Sequence, residues 1–316
     1  MSPVVSKLPI LVLYPHSRCN CRCLMCDIWK ETTAREISAA ELERHAADIE
    51  ALGVEWVVLS GGEPLMHSDL FRLCRILRSL RIRITLLSSG LLLRRHADAI
   101  TGHVDEVIVS LDGPEPVHDA IRGVPGAFRL LKEGLEPLRV PVDARCTVQG
   151  RNCTHLIGTA DVAHTLGLRS VSFLAADTTT GAFNHPGGWT PERASLIALD
   201  SAQLAGLEHE IERLIRERAH DIASRFIRES PEKLRRIAAH FGPAAPVSPR
   251  CNAPWVSAVV ESDGTVRPCF FHAPIGSLAN HTLLEVINGP AAVRFRETLR
   301  VPANPICNRC VCSLNY

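Results

Sequence analysis

The chain has 316 residues, 46% of them hydrophobic and 22% charged, with 35 Lys and Arg set against 34 Asp and Glu. That length is ample for a large buried core, and the near-cancelled charge leaves no basic field to hold a nucleic-acid backbone. The longest apolar runs, such as 8–14, are far too short to span a bilayer and no export signal precedes them, so a cytoplasmic protein with reduced thiols is expected.

In chain order, short apolar runs predict strands at 10–14, 56–60, 83–88, 106–111, 142–148 and 170–174. Helix-period segments near 39–52, 69–80, 91–100, 127–138 and 155–166 fall between them. Six strands alternating with helices predict an α/β fold, a parallel sheet with right-handed crossovers, open or curled into a partial barrel. The strands are rich in Val, Ile and Leu, as expected where both faces are covered. A polar, Gly-rich stretch at 176–189 closes this unit. From 190 to 240 the pattern is helical, with Leu204, Leu207, Ile211, Leu214 and Ile215 on one face and Glu and Arg opposite. That stripe is too short for a coiled coil and predicts a linker packed on the first unit. A Pro-rich break at 242–249 introduces a turn-rich tail. The expected divisions are therefore 8–178, 179–245 and 246–316.

The chain contains twelve cysteines. Disulfide scaffolds are short and secreted, so metal ligation is the leading reading. Cys19, Cys21, Cys23 and Cys26 sit near the start; Cys251, Cys269, Cys307, Cys310 and Cys312 sit at the end. Cys74, Cys146 and Cys153 are isolated. Cys19-x3-Cys23-x2-Cys26 directly follows the first strand. A structural zinc site prefers four ligands, commonly as paired C-x2-C knuckles. Three thiolates on one loop suit a four-iron cluster with one iron left open. In parallel α/β folds ligands gather at the carboxyl ends of the strands. There the cysteine loop is joined by Gly61-Gly62-Glu63-Pro64, Ser88-Ser89-Gly90 and Ser110-Leu111-Asp112-Gly113, which leave strands two, three and four.

The pair formed by CxxxCxxC after strand one and GGEP after strand two resembles the radical S-adenosylmethionine (SAM) enzymes, over roughly residues 10–175. The resemblance implies a partial (β/α)6 barrel. It further implies a [4Fe–4S] cluster held by Cys19, Cys23 and Cys26, with SAM on its open iron. Gly61, Gly62 and Glu63 would then meet the methionyl amino group, while Ser88, Ser110 and Asp112 lie where ribose or carboxylate contacts fall. Arg122 and Arg145 are candidates for the carboxylate, or for structural ion pairs. Many members carry an aromatic residue just before the last cysteine; here Met25 stands in its place, and Trp29 or the backbone after Cys26 is expected against the adenine. The implied chemistry is reductive cleavage of SAM to a 5′-deoxyadenosyl radical, fed by an external electron donor such as flavodoxin or ferredoxin.

The tail carries Cys251, Gly264-x4-Cys269 and Cys307-x2-Cys310-x-Cys312, with hairpin residues at Ser262-Asp263-Gly264-Thr265. Spacing alone also allows a zinc ribbon. Beside the first cluster, this tail resembles the auxiliary iron–sulfur module called SPASM, or its shortened twitch form. Five cysteines, where the long form has seven, imply one auxiliary [4Fe–4S] cluster on Cys251, Cys269, Cys307 and Cys310, with Cys312 replacing one of them or staying free. Phe270 and Phe271 are expected to pack around it. The functional expectation is a redox transformation, dehydrogenation or epimerisation, of a small-molecule substrate. Cys21, Cys146 and Cys153 are candidate hydrogen donors, although buried structural cysteine is the plainer reading of each. Two alternatives stand beside it: maturation of a ribosomally made peptide, against which the early first strand weighs, and a non-catalytic, zinc-stabilised binding protein.

Overall fold

The computed structural model describes residues 1–185, 188–242, 250–310 and 312; the Pro-rich break lies outside these apart from Gly242. Six strands alternate with helices as expected: β1 (Ile10–His16), β2 (Trp56–Gly61), β3 (Arg83–Ser88), β4 (Glu106–Ser110), β5 (Val142–Val148) and β6 (Ser170–Ala175). Three more come from the tail: β7 (Ser257–Val260), β8 (Thr265–Arg267) and β9 (Gly276–Ser277). All nine form one sheet in the order β6-β5-β4-β3-β2-β1-β7-β8-β9. The strands β1 to β6 pair in parallel, each with the next.

The tail, expected at 246–316, joins the same sheet. Its first strand lies parallel to β1, with Ile10 beside Ser257 and Leu13 beside Val260. The antiparallel strands β8 and β9 then extend the same sheet. The N-terminal stretch is sewn to the tail as well. Val5 N–H donates to Asn288 Oδ1 at 2.9 Å, Asn288 Nδ2 donates back to the Val5 carbonyl at 2.9 Å, and Arg296 Nε donates to the Pro3 carbonyl at 2.6 Å.

Strand side chains alternate between two faces, and here both are occupied. Leu11, Leu13, Val57, Leu59, Ile84, Leu86, Val107, Val109, Cys146, Val171 and Phe173 are at most 2% exposed and belong to one core. The opposite set (Ile10, Val12, Trp56, Val58, Leu87, Ile108, Arg145, Val259) lines the concave side. At the N-terminal ends of the strands that side is closed by a polar floor. Trp56 Nε1 donates to Thr85 Oγ1 at 2.7 Å, and Thr85 Oγ1 donates to Glu106 Oε1 at 2.8 Å. Glu106 pairs with Arg83 at 2.6 Å and with Arg169 at 2.7 Å, and Arg169 also pairs with Asp143.

The sheet does not close on itself; β6 is an edge, and an uncovered edge invites other strands. The helical segment covers it. Val171 N–H donates to the Phe226 carbonyl at 2.7 Å, Arg228 N–H to the Val171 carbonyl at 3.0 Å, and Phe173 N–H to Glu229 Oε2 at 2.8 Å. The predicted helical stretch is several helices, Pro191–Ser195, Ser201–Glu217, Ala219–Ala223 and Pro231–Phe241. Ser201–Glu217 begins with a capping box between Asp200 and Gln203. Its buried Leu207, Ile211 and Leu214 join the core, so the stripe faces the chain's own fold.

Candidate active site

The first site begins where β1 and β2 end. Gly62 N–H donates to the His16 carbonyl at 3.3 Å and Glu63 N–H to the Arg18 carbonyl at 2.8 Å, which clamps the two loops together. Neither glycine tolerates a side chain. Gly61 has φ +96° and a Cβ there would sit 2.6 Å from the Tyr14 ring; a Cβ at Gly62 would run into the Arg18 carbonyl. The clamp sets Cys19, Cys23 and Cys26 across a cavity of about 230 Å³ from Gly61, Gly62, Glu63, Ser88 and Ser110.

Glu63 is 1% exposed. Its Oε1 accepts from Leu65 N–H at 3.2 Å and Ser88 Oγ at 3.0 Å, and its Oε2 accepts from Ser89 N–H at 2.7 Å and Ser89 Oγ at 2.6 Å. Burial pushes its carboxyl above the usual range even so. Among the described residues no Lys, Arg or His pairs with it. A fixed, buried carboxylate on a cavity wall without a cation fits a ligand that brings its own ammonium group.

Charge on the cysteine loop is arranged just as tightly. The Cys21 thiol lies between Cys19 and Cys23, and those hydrogen bonds, with burial, push it strongly up. Cys23 is pulled down to about 7, first by the Cys21 hydrogen bond and then, against burial, by the Arg122 guanidinium. Arg122 Nη1 lies 3.6 Å from Cys23 Sγ. Burial pushes Cys26 up, while its sulfur accepts from Ile28 N–H at 3.5 Å. Three thiols on one loop beside a buried cation are a donor set suited to an iron–sulfur cluster.

Asp112 was expected against the cofactor but stands behind the wall. It is fully buried, 2.6 Å from Arg122 Nη2, and its Oδ1 accepts from Thr147 N–H at 3.0 Å. Its carboxylate is occupied in holding Arg122 and β5. Arg122 ends the helix Glu115–Arg122, stopped by Gly123 at φ 64°. It lines the cavity already paired. Ile28 rather than Trp29 faces the cavity; the Trp29 ring carries Lys30 Nζ 5.6 Å from its centroid. Cys146 belongs to the outer face of β5 and Cys153 Sγ donates to the Gly150 carbonyl at 3.3 Å, so of the three candidate donors only Cys21 lines the cavity.

The second site is a cavity of about 170 Å³ on the concave side of β1, β2 and β7. Cys251, Cys269, Cys307, Cys310 and Cys312 all line it. The last turn is shaped by Asn304, whose Oδ1 accepts from Ile306 and Cys307 N–H, both at 3.0 Å. Burial pushes Cys269 up to about 11 and Cys307 up to about 12, and Cys310 higher still. His272 Nε2 lies 3.2 Å from Cys307 Sγ, its ring edge-on to Phe295 at 4.8 Å. Burial lowers His272, which favours its neutral imidazole. Among the described residues no three His, Cys, Asp or Glu converge on a single ion. The five thiols share one cavity, a donor set suited to a multi-iron cluster.

Leu87, Arg145, Phe270, Phe271 and Cys312 line both cavities. The sequence pointed to Phe270 and Phe271 only as packing for the second cluster and left Cys312 without a position. The signal for the shared wall was parity: Ser110 and Arg145 are register partners on β4 and β5, so both face inward.

Two sequence profiles match the chain. That of the radical SAM superfamily covers residues 13–139, and that of an iron–sulfur cluster-binding domain, SPASM, covers residues 251–311. An AdoMet-dependent heme synthase of Methanosarcina barkeri is 31% identical over 157 residues, 47% of this chain and 45% of that protein. This chain thus spans less than half of that relative. A PqqA peptide cyclase of Ruegeria pomeroyi is 26% identical over 313 residues, 93% of this chain and 77% of that protein. Among solved structures, SuiB of Streptococcus suis bound to S-adenosylmethionine shares the fold, with TM-score 0.66 and 16% identity over 98% of this chain and 74% of that one.

Proposed function

We propose that this chain, which carries a radical SAM domain joined to a SPASM iron–sulfur domain, performs a redox transformation, dehydrogenation or epimerisation, of a small metabolite. When bound, the clusters and SAM supply an electron for cleavage of SAM and a 5′-deoxyadenosyl radical that takes a hydrogen atom from substrate. Cys19, Cys23 and Cys26 would hold the first cluster, and Cys251, Cys269, Cys307 and Cys310 the auxiliary one. Glu63 would receive the SAM ammonium, fixed by Ser88 and Ser89, with Gly61 and Gly62 permitting close approach and Ser110 facing the rest of the cofactor. A flavodoxin or ferredoxin is the expected class of electron donor.

One observation carries this reading. The two thiol-bearing cavities share Leu87, Arg145, Phe270, Phe271 and Cys312, so a compact substrate inside the barrel would touch SAM on one side and the auxiliary thiols on the other. The apolar walls Val12, Val58, Ile108 and Val259 would disfavour water beside a bound substrate. A second reading, peptide maturation, is favoured by the likeness to the peptide cyclase over nearly the whole chain.

Anaerobic purification with iron and sulfide analysis provides the first test. Bound zinc without iron would overturn the proposal in favour of a structural zinc protein. Reductive SAM cleavage lost in Cys19→Ala and kept in Cys269→Ala is the expected division of labour. Turnover in deuterated water separates the outcomes: a thiol-quenched epimerisation puts solvent deuterium into product, and an oxidation does not.

A further inference from the structure

A third cavity, of about 350 Å³, lies beside the two thiol-bearing ones and is larger than either. Ile28, Gly62, Phe183 and Phe270 line both it and the first cavity, and Phe270 borders all three. Strand parity builds its polar wall. Tyr14 follows Ile10 and Val12 on the concave face of β1. Glu261, just past β7, continues the face of Val259, and Arg267 on β8 is the register partner of Val259. The opposite wall is fixed to the cysteine loop. Asp27 N–H donates to the Phe183 carbonyl at 3.0 Å and Asn184 Nδ2 to the Asp27 carbonyl at 3.1 Å.

Glu261 and Arg267 form an ion pair, Nε to Oε1 at 2.6 Å, and Arg267 Nη1 donates to the His272 carbonyl at 3.1 Å. Among the described residues the pair has no further side-chain bond, which leaves one carboxylate oxygen and one guanidinium nitrogen open. The hydroxyls of Tyr14 and Ser262, on the same cavity, make no hydrogen bond among the described residues either. Other charges on the rim are engaged. Glu31 accepts from Thr33 N–H at 2.9 Å, Asp263 faces Arg35 at 3.8 Å, and His16 faces Glu36 at 3.5 Å. A carboxylate and a guanidinium that neutralise each other do not select a charged ligand. Side by side they offer an acceptor next to a donor, the complement of two neighbouring hydroxyls.

We propose that this cavity is a polar substrate subsite and takes a polyhydroxylated ring, a sugar or cyclitol. Glu261 and Arg267 are its specificity-determining pair and hold two adjacent hydroxyls, with Tyr14 on a third. Such a ring would present its far side past Phe270 to the first cavity. This rests on the reading of the chain as an enzyme of small-metabolite chemistry and names the substrate class.

Ligand-observed NMR tests this without turnover. The reconstituted protein, saturated with SAM so that the first cavity is filled, is titrated with myo-inositol, with methyl α-D-glucopyranoside and with cyclohexanol as the single-hydroxyl control. At least one polyol is expected to bind about tenfold or more tightly than cyclohexanol. Glu261→Gln should weaken that polyol about tenfold, since a charge-assisted hydrogen bond becomes a neutral one, and Arg267→Lys should retain part of the affinity. SAM affinity should change by less than about threefold in both. Iron content and circular dichroism establish that each variant folds, and Tyr14→Phe, which removes a single oxygen, carries the test if the pair variants do not. Polyols that bind no better than cyclohexanol overturn the proposal, and so does polyol binding that survives all three substitutions. Binding of a tetraalanine peptide with no polyol bound also overturns it, and gives the cavity to peptide maturation. Failure of the parent reading looks different: no iron in the protein, whatever the polyols do.

Discussion

The two cysteine-rich ends of the chain make thiol sites by opposite routes. The first draws Cys19, Cys23 and Cys26 from one loop, clamps that loop by backbone hydrogen bonds to Gly62 and Glu63, and sets a charged group, Arg122, against Cys23. The second collects thiols from three separated stretches, holds them by apolar packing, and offers Cys307 only a neutral imidazole. A site with contiguous ligands needs a rigid local frame. A site with scattered ligands needs the whole fold.

Breaking one site and sparing the other gives the largest expected effect. Cys19→Ala should abolish SAM cleavage and leave about half of the iron, that of the auxiliary cluster; near-total iron loss would show that the sites load together. Next comes the buried ion pair behind the first site. Asp112→Asn leaves Arg122 charged and unpaired and should cost about 3–5 kcal/mol in denaturant unfolding. Asp112→Asn with Arg122→Met should recover part of that cost. No penalty for the single change would mean that Arg122 finds another counter-ion. Gly62→Ala tests the clamp itself. Overpacking against the Arg18 carbonyl should cost about 1–3 kcal/mol and weaken SAM binding more than auxiliary-cluster loading.

Smaller effects sharpen the electrostatic half of the comparison. His272→Phe removes the Nε2 contact to Cys307; if Nε2 donates to the loaded cluster's sulfur, that cluster should become harder to reduce, because hydrogen bonds to cluster sulfurs favour the more negative state. Redox titration followed by electron paramagnetic resonance reads this, and an unchanged potential would mean that the contact only positions the ring. Smallest is an acid effect at the barrel floor. Burial raises Glu106 and Asp143, but hydrogen bonds from Arg169, joined by Thr85 and Arg83 at Glu106 and by Ser170 at Asp143, together outweigh it and hold both below the usual carboxylate range. Groups depressed in the folded state contribute stability above their unfolded values, and it is lost as pH falls through the folded ones. Melting temperature should therefore fall as pH drops below about 4.5, less steeply in Arg169→Gln.

The contrast between the sites also sets what could be read from sequence. Strand alternation, the cysteine loop and the GGEP turn are local, and the parallel sheet appears where they predict it. The place of Asp112 was not legible, because its neighbours in sequence leave β4 toward the cavity while its own carboxylate turns back to Arg122 ten residues on. The pairing of the tail with β1 was not legible because β7 is only four residues long and its partner lies far away in sequence. Arg145 was visible as a carboxylate candidate, but not its place between Ser110 and Ser172. That placement belongs to the surrounding strands, and no spacing encodes it.

The pairing of β1 with β7 bears on how the chain is made. During synthesis β1 gains β2 quickly, but its other side waits for residues 257–260, which follow β1 by about 240 residues. Through that interval the nascent sheet presents an apolar strand with unsatisfied backbone groups, next to the cysteine loop. Contacts so distant in sequence form slowly. Expression of a fragment ending before residue 250 should therefore yield aggregates rather than a free-standing barrel, and chaperone supply or slower translation should raise the yield of the full chain.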